Sequence, residues 1–200
     1  MLKIWDPRSS NALVASVAQP ERVYASDVSG GRIIVGTAAR HVWIWDLRQV
    51  VEPEQRRLAS LKFQTRCIRA FPDQTGYALS STEGRISMEY FDPAKEVQMK
   101  KYIFKCHRGV IDGIDYAYPV NAIAFRLGST QFATGGGDCC VPVWDTAAKK
   151  RLFMFPKYPT SISSLDFSSD GKFLAVASSY TFEELDKEHP ADQIFIRSMV

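Results

Sequence analysis

The sequence predicts an all-β chain built as a propeller of repeated four-stranded units, and two observations carry that prediction. Leu-Lys-Ile-Trp-Asp at Leu2–Asp6 recurs as Val-Trp-Ile-Trp-Asp at Val42–Asp46 and Val-Pro-Val-Trp-Asp at Val141–Asp145, with degenerate copies at Met88–Asp92 and Ile194–Ser198. The closing positions Asp6, Asp46, Asp92, Asp145 and Ser198 are separated by 40, 46, 53 and 53 residues. Between the copies lie short alternating or continuous apolar runs, separated by turns rich in Gly, Asp and Ser, which is the pattern of antiparallel strands.

A period of roughly 40 to 45 residues closing on Trp-Asp is the signature of WD40 β-propeller blades, the longer intervals being loop insertions. The expected organisation is about four blades plus a partial one. Residues 1–20 are the end of a truncated blade, with an outer strand expected at Ala12–Ala18, and units over 21–63, 64–106, 107–155 and 156–200 follow. In the first unit Arg22–Val28, Arg32–Thr37 and His41–Trp45 read as inner strands and Arg57–Phe63 as the outer one. The turn Ser29-Gly30-Gly31 supports the cut, because glycine adopts backbone angles that other residues resist. The second unit runs Arg66–Phe71, Tyr77–Ser81, Arg85–Tyr90 and Lys101–Cys106, turning at residues 72–76. The third runs Val120–Phe125, Gln131–Thr134, Val141–Trp144 and Arg151–Phe155. The fourth runs Ser161–Phe167, Lys172–Ser179 and Gln193–Arg197 and lacks an outer strand. Both terminal units are thus read as incomplete, with strand edges that a closed ring would cover.

Composition narrows the function classes. An apolar fraction of 46% over 200 residues can bury a sizeable core. No run reaches the roughly 20 apolar residues of a membrane span and no signal peptide is evident, so a cytosolic or nuclear protein is expected. Cys67, Cys106, Cys139 and Cys140 lack zinc-site spacing, and His41 and His189 lack a ligand partner in sequence, so neither metal nor other cofactor is expected. The formal charge of +3 is segregated: residues 181–192 hold five acids against Lys187, a net of −4, which leaves +7 on the remainder. That excess suits an acidic partner better than direct nucleic-acid binding, for which no module is recognisable. No nucleophile–base pair or glycine-rich phosphate loop is present, so no enzyme is expected.

Two sets of residues stand out. His107, Thr134, Asp138 and Trp144 have the spacing of a structural hydrogen-bond relay, in which Asp fixes His and His reaches a hydroxyl and the Trp indole. On one face of the predicted disc, loops carry Arg40, Arg66, Arg85, Lys105 and Arg108, with Lys62 approaching from an outer strand. Arg66 opens a first strand and Arg85 a third strand of one blade, so their guanidinium forks should converge on a point suited to a phosphate. Tyr118-Pro119 and Tyr158-Pro159 lie in loops on that face, where an exposed ring could grip a peptide. Other aromatics, among them Phe71, Tyr90 and Phe125, alternate within strands and are expected in the core.

Phe104–Arg108 (FKCHR), Tyr118–Phe125 (YPVNAIAF), Phe132–Asp138 (FATGGGD), Tyr158–Ile162 (YPTSI), Gln64–Phe71 (QTRCIRAF) and Glu188–Arg197 (EHPADQIFIR) together resemble the Bub-type spindle-checkpoint propellers. The messenger-RNA export propeller of the nuclear pore is similar in its EGR, FKCHR and ASSY runs, and gives the alternative reading. The checkpoint resemblance implies a seven-bladed, non-catalytic adaptor of the nucleus and kinetochore, also cytoplasmic. It would bind GLEBS-type motifs of the checkpoint kinases and their Mad/BubR-type relatives and dock on phosphorylated Met-Glu-Leu-Thr repeats of the kinetochore scaffold. The same resemblance implies that Arg66 and Arg85, with Lys62 nearby, face the phosphothreonine.

Overall fold

The computed structural model describes residues 1–199, and its strands form a series of antiparallel sheets. β1 (Leu2–Trp5) and β2 (Leu13–Val17) make a two-stranded pair. β3 (Val23–Ser29), β4 (Arg32–Thr37), β5 (His41–Asp46) and β6 (Gln55–Leu58) make a four-stranded sheet. A second comprises β7 (Thr65–Ala70), β8 (Gly76–Ser81), β9 (Arg85–Tyr90) and β10 (Tyr102–Lys105), with the single-turn helix α1 (Lys95–Gln98) before β10. The hairpin β11 (Arg108–Ile111) and β12 (Ile114–Ala117) precedes a third four-stranded sheet, β13 (Val120–Phe125), β14 (Gln131–Gly136), β15 (Pro142–Asp145) and β16 (Lys150–Met154). A three-stranded sheet of β17 (Ile162–Phe167), β18 (Phe173–Ser178) and β19 (Gln193–Ser198) follows. Inner strands β3, β7, β13 and β17 pack successively on one another, each sheet stacking on the next. The described residues are therefore part of a β-propeller.

Strand alternation explains the stacking, because successive side chains point to opposite faces of a sheet. In β4 and β5, Ile33, Val35 and Trp45 face the β1–β2 pair, whereas Ile34, Val42 and Ile44 face Ile68, Tyr77 and Leu79 of the second sheet. The second sheet turns Ala78, Ile86 and Met88 toward Val120, Ile123 and Phe132 of the third. Ala122, Ala124, Val141 and Val143 of the third meet Ile162, Leu165, Leu174 and Val176 of the last sheet. Each four-stranded sheet is thus buried on both faces, in two different cores.

The Asp of the repeated motif has one recurring task. As the chain leaves the strand, Asp6 and Asp46 Oδ1 accept the backbone N–H of Arg8 and Arg48 at 3.0 and 2.9 Å. Asp92 Oδ1 accepts from Ala94 at 2.8 Å, and Asp145 Oδ1 from Ala147 and Ala148 at 2.8 and 2.9 Å. These Asx turns satisfy amides that the ladder has abandoned and reverse the chain. Hydrogen bonds from Arg48, first from its side chain and then from its backbone, hold the Asp46 carboxyl down at about 2.

Two expectations are corrected. The outer strand of the first sheet is Gln55–Leu58 and not Arg57–Phe63, because Ala59 and Leu61 leave the ladder to fill the core against the second sheet. The span before Val120, read as loop, holds the β11–β12 hairpin, whose Asp112 and Gly113 take φ of 50° and 78°. The Asp-Gly pair is a strong hairpin signal that the sequence already contained. Truncating Ile68, which is 1% exposed between two sheets, to Ala should cost about 2–5 kcal/mol in urea unfolding, whereas Ile103→Ala on the exposed side of β10 should cost under about 1 kcal/mol.

Candidate functional site

The candidate face lies where β7 and β9 begin and β8 ends. Thr65 pairs with Ser81 there, and the ladder then skips Arg66 before Cys67 pairs with Ser80. Arg66 is therefore a bulge residue, and a bulge redirects its side chain out of the regular alternation. The same irregularity recurs at Tyr24 in β3, Asn121 in β13 and Ser163 in β17. Four adjacent inner strands thus present a bulge residue at the same level.

Two of these residues meet. The Arg66 guanidinium donates from Nε and Nη2 to Asn121 Oδ1 at 3.2 and 3.0 Å, while Asn121 Nδ2 donates to the Ile162 carbonyl at 3.1 Å. Asn121 joins three sheets and fixes the direction of the Arg66 fork, which stays exposed. Sequence reasoning missed Asn121, because a bulge is a property of strand pairing that a single strand does not display. Partial burial works against the charge of Glu183, but hydrogen bonds from Thr181, its own backbone, Ser161 and Asn121 hold its carboxyl below the usual range. The acidic 181–192 segment therefore borders the basic residues.

Arg85 opens β9 across a tight turn at Gly84, whose φ is +68°. A Cβ on Gly84 would lie 2.3 Å from the His107 carbonyl oxygen and 2.8 Å from Arg108 Cγ, so the turn is pressed onto His107 and Arg108. Arg85 Nε lies 3.4 Å from Glu83 Oε2 and makes no hydrogen bond. Lys105 pairs with Arg85 across the β9–β10 ladder, and both Lys105 and Lys62 are exposed. Arg66 and Arg85 thus share one sheet end but engage different partners, Asn121 and Glu83.

The other face residues are placed differently. Arg40 donates to the Ala59 carbonyl at 2.6 and 3.3 Å. Arg108 reaches Asp115 across the hairpin at 3.4 Å, and half-buried Tyr118 stacks on Tyr116 at 6.4 Å. Tyr158 corrects an expectation: it is 5% exposed and cannot present a ring to a peptide. Its hydroxyl accepts from Arg197 Nε at 3.0 Å, and its ring packs edge-on against Phe195, so β19 covers it.

His107, Thr134, Asp138 and Trp144 are brought together beneath this face. Asp138 Oδ1 lies 2.8 Å from His107 Nδ1, Thr134 Oγ1 lies 2.8 Å from His107 Nε2, and Trp144 Nε1 donates to Thr134 Oγ1 at 3.1 Å. With Asp138 ionised, one consistent polarity runs indole N–H to Thr134 oxygen, Thr134 O–H to Nε2, and Nδ1–H to carboxylate. All of these groups are engaged with one another. Burial raises Cys67, Cys106 and Cys139, and pushes Cys140 up to about 11, so these thiols stay protonated near neutral pH. Among the described residues no cluster of His, Cys, Asp and Glu could hold a metal.

The WD domain, G-beta repeat model matches residues 100–145 and 149–181. Those residues carry WD40 repeats. It is 55% identical to "Mitotic checkpoint protein BUB3.1" of Arabidopsis thaliana, over 99% of this chain and 59% of that protein. Against "Mitotic checkpoint protein bub3" of Dictyostelium discoideum the identity is 52%, over 100% and 61%. "mRNA export factor GLE2" of Chaetomium thermophilum is 34% identical, over 92% and 51%. The chain thus spans about three fifths of the length of the curated checkpoint relatives it matches. The solved structure of the computationally designed Ika4 protein superposes with a TM-score of 0.62 at 10% identity, covering 92% of this chain and 94% of that one, a likeness of fold alone.

Thr134→Val should orphan both the buried His107 Nε2 and the Trp144 indole N–H, costing roughly 1–3 kcal/mol for each group in denaturant unfolding, whereas Thr134→Ser should restore most of the loss. A Thr134→Val protein as stable as wild type would show that the relay is dispensable.

Proposed function

We propose that this protein is a non-catalytic adaptor of the mitotic spindle assembly checkpoint, acting in the nucleus and at kinetochores with a cytoplasmic pool. It binds GLEBS-type motifs of checkpoint kinases and of their Mad/BubR-type relatives, and docks on phosphorylated Met-Glu-Leu-Thr repeats of the kinetochore scaffold. The observation that carries the reading is the gradient of similarity: 55% and 52% identity to proteins named for the mitotic checkpoint, against 34% to one named for messenger-RNA export. Co-purification separates the two, with checkpoint kinases and kinetochore scaffold expected, and pore proteins with export factors as the result that would favour the alternative.

Phosphate reading falls to Arg66, Arg85 and Lys62. A phosphothreonine brings nearly two negative charges and three acceptor oxygens, which guanidinium forks meet with charge-assisted bonds. Arg66 is already aimed by Asn121, so little freedom is lost when a ligand arrives. Arg85 Nε lies 3.4 Å from the half-buried Glu83 without a hydrogen bond, and a phosphate dianion attracts the guanidinium more strongly than that monoanion does.

Calorimetry with the intact protein tests this. Arg66→Ala or Arg85→Ala should weaken a phosphorylated Met-Glu-Leu-Thr peptide by about 1.5–3 kcal/mol, roughly 10- to 150-fold, with Lys only partly substituting. The unphosphorylated peptide should bind weakly and scarcely notice the changes. Equal losses for both peptides would mean that the arginines support the fold.

A further inference from the structure

At the opposite end of the second and third sheets, between the β7–β8 and β13–β14 turns, lies a cavity of about 590 Å³. Phe71, Tyr90, Tyr102 and Phe125 wall it, Met88 contributes to its lining from β9, and Asp73 stands on its rim. Alternation within strands assigns Phe71, Tyr90 and Phe125 to core packing, yet with Tyr102 they leave a space between the two sheets. Phe71 packs edge-on against Tyr90 and Phe125, both at 5.5 Å, so the rings brace one another and hold the space open.

Its chemistry has one sign. None of the lining residues is Lys or Arg. Among the described residues neither the Tyr90 nor the Tyr102 hydroxyl has a hydrogen-bond partner. Asp73 Oδ1 is occupied by the Thr75 amide and hydroxyl at 3.0 and 2.8 Å, which leaves Oδ2 available. Burial and then the charge of Asp73 push Tyr90 up, and burial, Tyr90 and Asp145 push Tyr102 up to about 12. Asp73 and the two tyrosines thus line the same cavity. The neighbouring hollow supplies an internal precedent: Lys149 Nζ sits 4.7 Å from the Tyr102 ring centroid without lining the cavity itself.

We infer that this cavity receives an arginine side chain from an extended segment of a partner protein. The guanidinium lies against the tyrosine rings and donates to the phenol oxygens and Asp73 Oδ2, while its methylene stem follows Phe71 and Phe125. An anion would meet the Asp73 carboxylate and the tyrosine π-faces with no lining Lys or Arg to balance its charge, and a wholly apolar group would bury the phenols and the carboxylate unpaired. Arginine is preferred to lysine because its planar cation stacks on aromatic faces, carries five donors and is the less strongly hydrated of the two. The site is distinct from the Arg66–Arg85 face and does not depend on the phosphopeptide reading.

The test uses N-acetyl-arginine methylamide as the probe, with its lysine and citrulline counterparts, titrated into the intact protein carrying fluorotyrosine and followed by fluorine NMR. Saturable shifts of the Tyr90 and Tyr102 signals are expected with the arginine probe. Citrulline, isosteric but uncharged, should bind at least about twofold to fivefold more weakly, the size of one exposed cation–π contact. Asp73→Asn keeps the acceptor for Thr75 and should weaken the arginine probe alone by a similar factor, whereas Arg66→Ala should change nothing. Absence of saturable shifts, equal response to citrulline, preference for lysine, or indifference to Asp73→Asn would each overturn the assignment.

Discussion

Every other feature of this structure depends on the burial of each four-stranded sheet on both of its faces. A sheet with one wet face would read as strict apolar–polar alternation; here Ile33 and Ile34 are both buried, and so are Tyr77, Ala78 and Leu79. Such a strand is stable only between two neighbours, which forces the sheets to stack in series about their inner strands. The polar atoms caught between the sheets must then find partners there. Ser80 Oγ accepts from the Cys67 amide at 3.1 Å and donates to the Val120 carbonyl of the next sheet at 2.8 Å. The relay of His107, Thr134, Asp138 and Trp144 is a larger answer to the same demand.

The stacking also builds the two faces. Bulges at one level of β3, β7, β13 and β17 release side chains from the alternation, and Arg66 and Asn121 are joined because their strands are neighbours. At the other end of the same strands, Phe71 and Phe125 come from consecutive sheets and open a cavity between two turns. Neither place is encoded in any one blade. Each is a product of adjacency, and this is why repeat proteins vary their binding surfaces without changing their core.

Much of the fold was legible from local chemistry. The Trp-Asp strands, the Gly-containing turns and the alternation that divides Trp43 and Trp45 from Val42 and Ile44 are written in consecutive residues. What escaped is non-local. Tyr158-Pro159 has the composition of an exposed loop, yet Phe195 and Arg197, nearly forty residues on, enclose the ring. Asn121 looks like any polar strand residue until the skipped pairing at β13 frees it to meet Arg66. The basic residues of the candidate face were visible as types, but their partners, Asn121 for Arg66, Glu83 for Arg85 and Asp115 for Arg108, follow from the fold. The β11–β12 hairpin is the exception, since its Asp112-Gly113 signal was local.

Arg66 and Arg85 are proposed to grip a common anion, although in the free protein they hold different partners. A crystal structure of the intact protein with a phosphothreonine peptide tests that assignment most directly. The expected result is a phosphate within hydrogen-bonding distance of both guanidinium groups, with Arg66 still braced by Asn121 and Glu83 displaced from Arg85. A phosphate bound elsewhere, with the Arg85–Glu83 pair intact, would contradict it.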